Sequence, residues 1–193
     1  MLKPDDNYVH ACEQIAMLQR EAGSTIDVSR KGAFIYAVLT EPGEANQVME
    51  LGHNIVTDGL GVLLARLVRD PTDPLGGITF GVVGTGPVGP DPFTPLPPTP
   101  SQTTLVNEIF RKQLASINFV DGAGLPTVTP QPRVDFQMTM TIGEAVGAIV
   151  EIGLAGGDAT VAANSGNLVS VENIPVISKT ASATLTLVFR FQF

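Results

Sequence analysis

The chain has 193 residues, of which 44% are hydrophobic and only 16% charged, and its formal net charge is −8. That length supports one sizeable core, while the negative balance and the lack of any run of four basic residues exclude a surface built to hold nucleic-acid phosphates. The one cysteine, Cys12, excludes an internal disulfide framework, and with no apolar signal core and no window near the ~20 apolar residues of a membrane helix, a soluble chain made in the cytoplasm is expected.

Residues 5–22 read as a helix: Asp5 or Asp6 can cap it, Tyr8, Cys12, Ile15, Leu18 and Ala22 recur at helical spacing, and Gly23 stops it. Gly23 to Lys31 follows as a hinge, so residues 1–30 are expected to form an N-terminal helical arm on a domain spanning 31–193. Gly32 to Leu39 is apolar on both faces, as in a strand covered on both sides. Glu41-Pro42-Gly43-Glu44 is a type II turn with Gly43 supplying the positive φ, and Asn46 to Leu51 is its hairpin partner. Thr57 or Asp58 then caps a short helix whose Leu60, Leu63, Leu64, Leu67 and Val68 form an i, i+3, i+4, i+7, i+8 face expected to lie on a sheet, and Pro71 ends it.

Ile78, Phe80 and Val82 alternate as a strand before Gly84-Thr85-Gly86. Between Pro87 and Pro100 there are seven prolines in fourteen residues, a density that removes backbone donors and fixes φ. The segment 87–104 is therefore expected to be an extended, semi-rigid surface loop. Leu105 to Leu114 fits either a short helix or an irregular lead-in. Ala115 to Val120, Arg133 to Ile142, Ala148 to Leu154 and Leu168 to Val171 read as strands, and Ile174-Pro175-Val176-Ile177 as an edge segment. The last thirteen residues alternate most regularly: Ala181, Ala183, Leu185, Leu187, Phe189, Phe191 and Phe193 on one face, and Ser182, Thr184, Thr186, Val188, Arg190 and Gln192 on the other. A strand this apolar belongs in the middle of a sheet. The fold class expected is mainly β, a β-sandwich or jelly roll with one packed short helix and the N-terminal arm.

Reactive groups are scarce. His10 and Cys12 stand two apart on a helix and point in different directions, so they do not begin a metal site. His53 has no serine elbow to serve and reads as a turn residue. Asp135, Glu144 and Glu151 could in principle pair as glycosidase carboxylates, but Asp135 alternates onto the polar face of its strand and is expected to be solvated. Gly84-Thr85-Gly86 has the look of a phosphate loop, yet Pro87, Pro90 and Pro92 forbid the helix that such a loop must open. No catalytic residue, metal or cofactor is expected, and the chain reads as a non-enzyme.

One family shares this order of segments. His53-Asn54-Ile55-Val56-Thr57-Asp58-Gly59-Leu60, Ile78 to Gly86, Leu105 to Lys112 (LVNEIFRK), Val134-Asp135-Phe136, Gly143-Glu144-Ala145-Val146-Gly147, Val150-Glu151-Ile152-Gly153-Leu154 and the Lys179-Thr180 segment with its terminal strand resemble virion structural proteins of tailed bacteriophages and prophages, commonly β-sandwiches. The resemblance spans about residues 46–193, with the proline segment as a departure. It implies a virion part: a capsid decoration or cement protein bound to the major capsid protein or other virion proteins, or a tail, baseplate or fibre-attachment component. A homo-oligomer in the virion, with no nucleic-acid or membrane partner, is expected. On that reading the arm and the proline loop make the assembly contacts, through Tyr8, Cys12, Ile15, Leu18, Pro92, Phe93, Pro95 and Leu96. A carbohydrate-binding module is the reading from another class; it is weakened by the absence of Trp and the presence of only two Tyr.

Overall fold

The computed structural model describes residues 6–21, 32–87, 90–91 and 94–193. Among them the chain is mainly β, with two antiparallel sheets and two helices, and it divides into two compact units, each holding one sheet.

The first unit carries helix α1 (Asp6–Glu21), β1 (Gly32–Thr40), β2 (Gln47–His53), a run of strands drawn from residues 114–141, and the C-terminal strand. Its order is β2-β1-β11-β8-β6-β7, where β6 is Ser116–Val120, β7 Pro126–Thr127, β8 Arg133–Met140 and β11 Thr184–Gln192. The terminal strand β11 lies between β1 and β8, its Phe189 opposite Ile35 on one side and Phe136 on the other. Its alternation is the cause: Leu185, Leu187 and Phe189 are wholly buried and Phe191 nearly so. The opposite face is buried as well. There Val188 packs with Tyr36 and with Cys12 and Ile15 of α1, so the helix expected as an arm is seated on this sheet. The hinge expected after it, Gly23 to Lys31, lies outside the described residues.

The second unit has the order β3-β10-β9-β4-β5, with β3 Ile55–Val56, β4 Ile78–Gly84, β5 Glu108–Gln113, β9 Gly147–Gly156 and β10 Asn167–Lys179. Its core joins Phe80, Val82, Leu105, Ala155, Leu168 and Val171. The segment that fitted a helix or a lead-in contains strand β5, because β4 offers Val82 and Val83 a ladder to Arg111 and Phe110. The two pieces expected around residues 168–177 are one strand, β10, with a bulge between Asn173 and Ile177; exposed Pro175 sits in it, beyond the two residues that β3 pairs.

Helix α2 (Asp58–Arg69) is fixed to β10 at its first turn. The Thr57 hydroxyl donates to the Leu168 carbonyl, and the Thr57 N–H donates to the Val169 carbonyl at 3.0 Å. A Cβ on Gly59 would lie 2.1 Å from the Leu168 oxygen, so glycine is what lets the helix come this close. Only Leu60 and Leu63 of the expected five-residue face are buried; Leu64, Leu67 and Val68 stand exposed. Twelve residues pinned at one end bring one row of side chains, not two, onto the strand.

Candidate interaction surfaces

Sequence reasoning expected Asp135 to be solvated, and the structure overturns this. Asp135 on β8 is directly opposite Arg190 on β11 and is fully buried. The guanidinium meets the carboxylate as a fork, Nε to Oδ1 at 2.8 Å and Nη2 to Oδ2 at 2.9 Å, and Nη2 also donates to the Gly124 carbonyl at 3.3 Å. The Tyr36 ring lies 5.7 Å from the Arg190 carbon, and the Cys12 thiol is 4.0 Å from Asp135 Oδ2. Burial alone would lower the Arg190 pKa, but the charge and hydrogen bonds of Asp135 outweigh that and raise it. The physical reason for the correction is α1: it covers the polar stripe of the sheet, so the stripe's charges must pair. Cys12 and Ile15, expected as contacts to a neighbour, are wholly buried in the chain's own core. The side chains of Tyr8 and Leu18 lie outside the described residues, as do Pro92 and Phe93.

In the second unit, the polar residues of the resemblance motifs pair with one another. Glu108 and Arg111 of the NEIFRK run form an ion pair, Nε to Oε1 at 2.5 Å and Nη2 to Oε2 at 2.7 Å. Arg111 Nη1 donates to the carbonyls of Thr160 and Ser165, and the Asn164 N–H donates to Glu108 at 3.1 Å, which ties the loop 157–166 to β5. Lys112 reaches Glu144 of the Gly-Glu-Ala-Val-Gly turn at 2.7 and 2.9 Å. Lys179 of the lysine-threonine segment is buried near that carboxylate; burial lowers its pKa, and Glu144 opposes the shift. Glu151 is fully buried and accepts from the Val106 N–H at 2.9 and 3.0 Å and from Gln102 Nε2 at 2.9 Å, which holds the end of the proline segment on the sheet.

Gly84-Thr85-Gly86 is a turn into the proline segment, as its prolines require. The Thr85 N–H donates to the Asn107 carbonyl at 3.0 Å, and a Cβ on Gly84 would lie 2.6 Å from that same oxygen. The proline segment lies on its own unit: Asn173 Nδ2 donates to the Leu96 carbonyl at 2.6 Å, the Asp58 N–H donates to the Pro100 carbonyl at 2.9 Å, and Pro98 is buried. Of the expected contact residues there, Pro95 is half-buried and Leu96 exposed.

His10 is exposed and hydrogen-bonded to Gln14, while His53, expected as a turn residue, ends β2 opposite Phe34, its ring tilted 57° to the Phe34 ring with centroids 4.4 Å apart. Among the described residues no group of three His, Cys, Asp or Glu side chains could hold a metal ion, and no helix is long and apolar enough to cross a membrane. Two open surfaces stand out in the first unit. An apolar groove of about 750 Å³ runs along the β6–β7 edge, lined by Ile117, Phe119, Pro126, Val128 and Val134 among others, with Ile117 and Val128 exposed. A hydroxyl-lined groove of about 330 Å³ lies between α1 and the sheet, with His10 and Gln14 on one wall and Thr139, Thr141, Thr184 and Thr186 on the other. No protein-family model and no curated protein matches the chain.

Proposed function

We propose that the chain is a non-enzymatic structural component of a tailed-bacteriophage virion, a capsid decoration or cement protein that binds the major capsid protein and neighbouring copies. One observation carries the reading: the charged residues of the resemblance motifs, Glu108, Arg111, Lys112, Glu144 and Glu151, are occupied in ion pairs and backbone clamps that hold loops on the second sheet. Motif residues used in this way preserve a shape instead of a reaction. A scaffold of this kind works by its surface, and apolar areas such as the β6–β7 groove are the kind that neighbouring proteins cover. The β-sandwich, with or without jelly-roll connections, belongs to the same proposal; burial of Leu185, Leu187 and Phe189, on the face of β11 that α1 does not cover, supports it.

A tail, baseplate or fibre-attachment component is the second form of this reading, favoured by the same motifs. Purified particles separate the two by copy number: hundreds of chains per particle indicate the head lattice, and roughly a dozen or fewer indicate the symmetric tail. Presence in infected-cell lysate with absence from purified particles would refute both.

A further inference from the structure

Helix α2 carries more apolar surface than its own sheet uses. Leu60 and Leu63 are buried, while Val62 is 50%, Leu64 46% and Val68 87% exposed. At 100° per residue, Asp58, Gly61, Val62, Ala65, Val68 and Arg69 share the side turned away from Leu60 and Leu63. Gly61 and Ala65 are exposed too, and a Cβ built on Gly61 would meet nothing within 4 Å. A helix that is apolar on both sides is ordinarily covered on both.

We propose that a second copy of this chain covers it, α2 against α2 in an antiparallel pair about a two-fold axis. The charges select this occupant. Asp58 stands exposed in the first turn and makes no ion pair among the described residues. Arg69 stands in the last turn with its side chain 76% exposed; its contact to Asp73 is 3.5 Å, and Asp73 is already held by Arg66 at 3.0 Å. An antiparallel pair sets Asp58 of each copy beside Arg69 of the other and each helix N-terminus beside a C-terminus, which suits both the side-chain charges and the helix dipoles. In that register Val62 falls opposite Ala65 of the second copy, large against small, and Gly61 lets the axes approach to roughly 8 Å. A face of twelve residues, about 18 Å long, buries less than the ~800 Å² per partner of a standard interface, so the pair is weak and reversible. This contact does not depend on the virion reading.

The test is sedimentation equilibrium of the full chain with two charge reversals. Wild type should show a reversible monomer–dimer equilibrium. Asp58→Arg places two arginines at each end of the seam, and Arg69→Asp places two aspartates, so each variant alone should dimerise about tenfold or more weakly. An equimolar mixture of the two should recover dimer, because both ends are complementary again. Circular dichroism should show that these exposed changes leave the fold intact, and an independent readout uses oxidative cross-linking. A mixture of Val62→Cys and Ala65→Cys chains should form the mixed disulfide faster than either variant links to itself. Wild type that stays monomeric, variants that dimerise as well as wild type, or a mixture no better than its components would each overturn the proposal.

Discussion

Replacing Asp135 by Asn removes the carboxylate charge that pairs with Arg190 and keeps the side chain's shape. Both groups are almost fully enclosed, at 0% and 3% side-chain exposure, and the fork closes at 2.8 and 2.9 Å. An asparagine can still accept from Arg190, but the guanidinium then loses its ion-pair partner while it stays buried beneath α1, beside Tyr36. Breaking one side of a buried pair costs about 3–5 kcal/mol, since the remaining ion keeps its desolvation penalty and loses the attraction that offset it. For a chain of this size each kcal/mol shifts the melting temperature by about 2–4 °C, so a fall of roughly 6–20 °C is expected. Urea denaturation measures the free energy directly, and the double change Asp135→Leu with Arg190→Met should recover most of the loss, because an apolar pair needs no compensation. A loss under about 1 kcal/mol for Asp135→Asn, or a double variant worse than the single one, would refute the argument that α1 seals a charged stripe.

Three further outcomes are expected. Deleting residues 1–30 should lower the melting temperature, because Cys12 and Ile15 cover Val188 and Tyr36 and each buried side chain contributes about 1–3 kcal/mol; an unchanged melting curve would show that the helix is dispensable to the fold. Phe189→Ala should cost about 3–5 kcal/mol as a large-to-small change at a wholly buried position, and a stability equal to wild type would contradict the central placement of β11. Burial raises the pKa of half-buried Glu172 to about 7. The folded state therefore holds its proton more tightly than the unfolded chain, so the stabilisation is complete below the ordinary carboxylate pKa and is lost as pH rises through about 7. Discounted for the exposed half of the group, the swing is about 1–2 kcal/mol between pH 4.5 and 7. Glu172→Gln should flatten it, and a wild-type curve with no such decline would count against the shift.

What could be seen in the sequence was whatever repeats locally. The two-residue alternation of β11 predicted its place inside a sheet and that of β8 predicted a strand, and Pro42-Gly43 predicted its turn, where Gly43 has φ 82° and the Glu44 N–H donates to the Glu41 carbonyl at 3.2 Å. Contacts between distant residues were not visible. Nothing near Asp135 announces a helix 123 residues away, although Val188, the one apolar residue on its face of β11, marks where that helix lands. Strand β5 was obscured because Glu108, Arg111 and Lys112 break the alternation; their charges are spent on the loops beside it. The extent of the α2 contact was overstated because periodicity reports which residues share a face, while the width of the strand beneath decides how many are covered.

A reconstruction of intact phage particles from a source that encodes this chain tests the proposed virion role most directly. The account predicts density for both sheets at a repeated position on the particle, with the Glu108–Arg111 and Glu151 clamps inside each copy and apolar surface against a neighbour. A fully occupied particle map with no such density would contradict it.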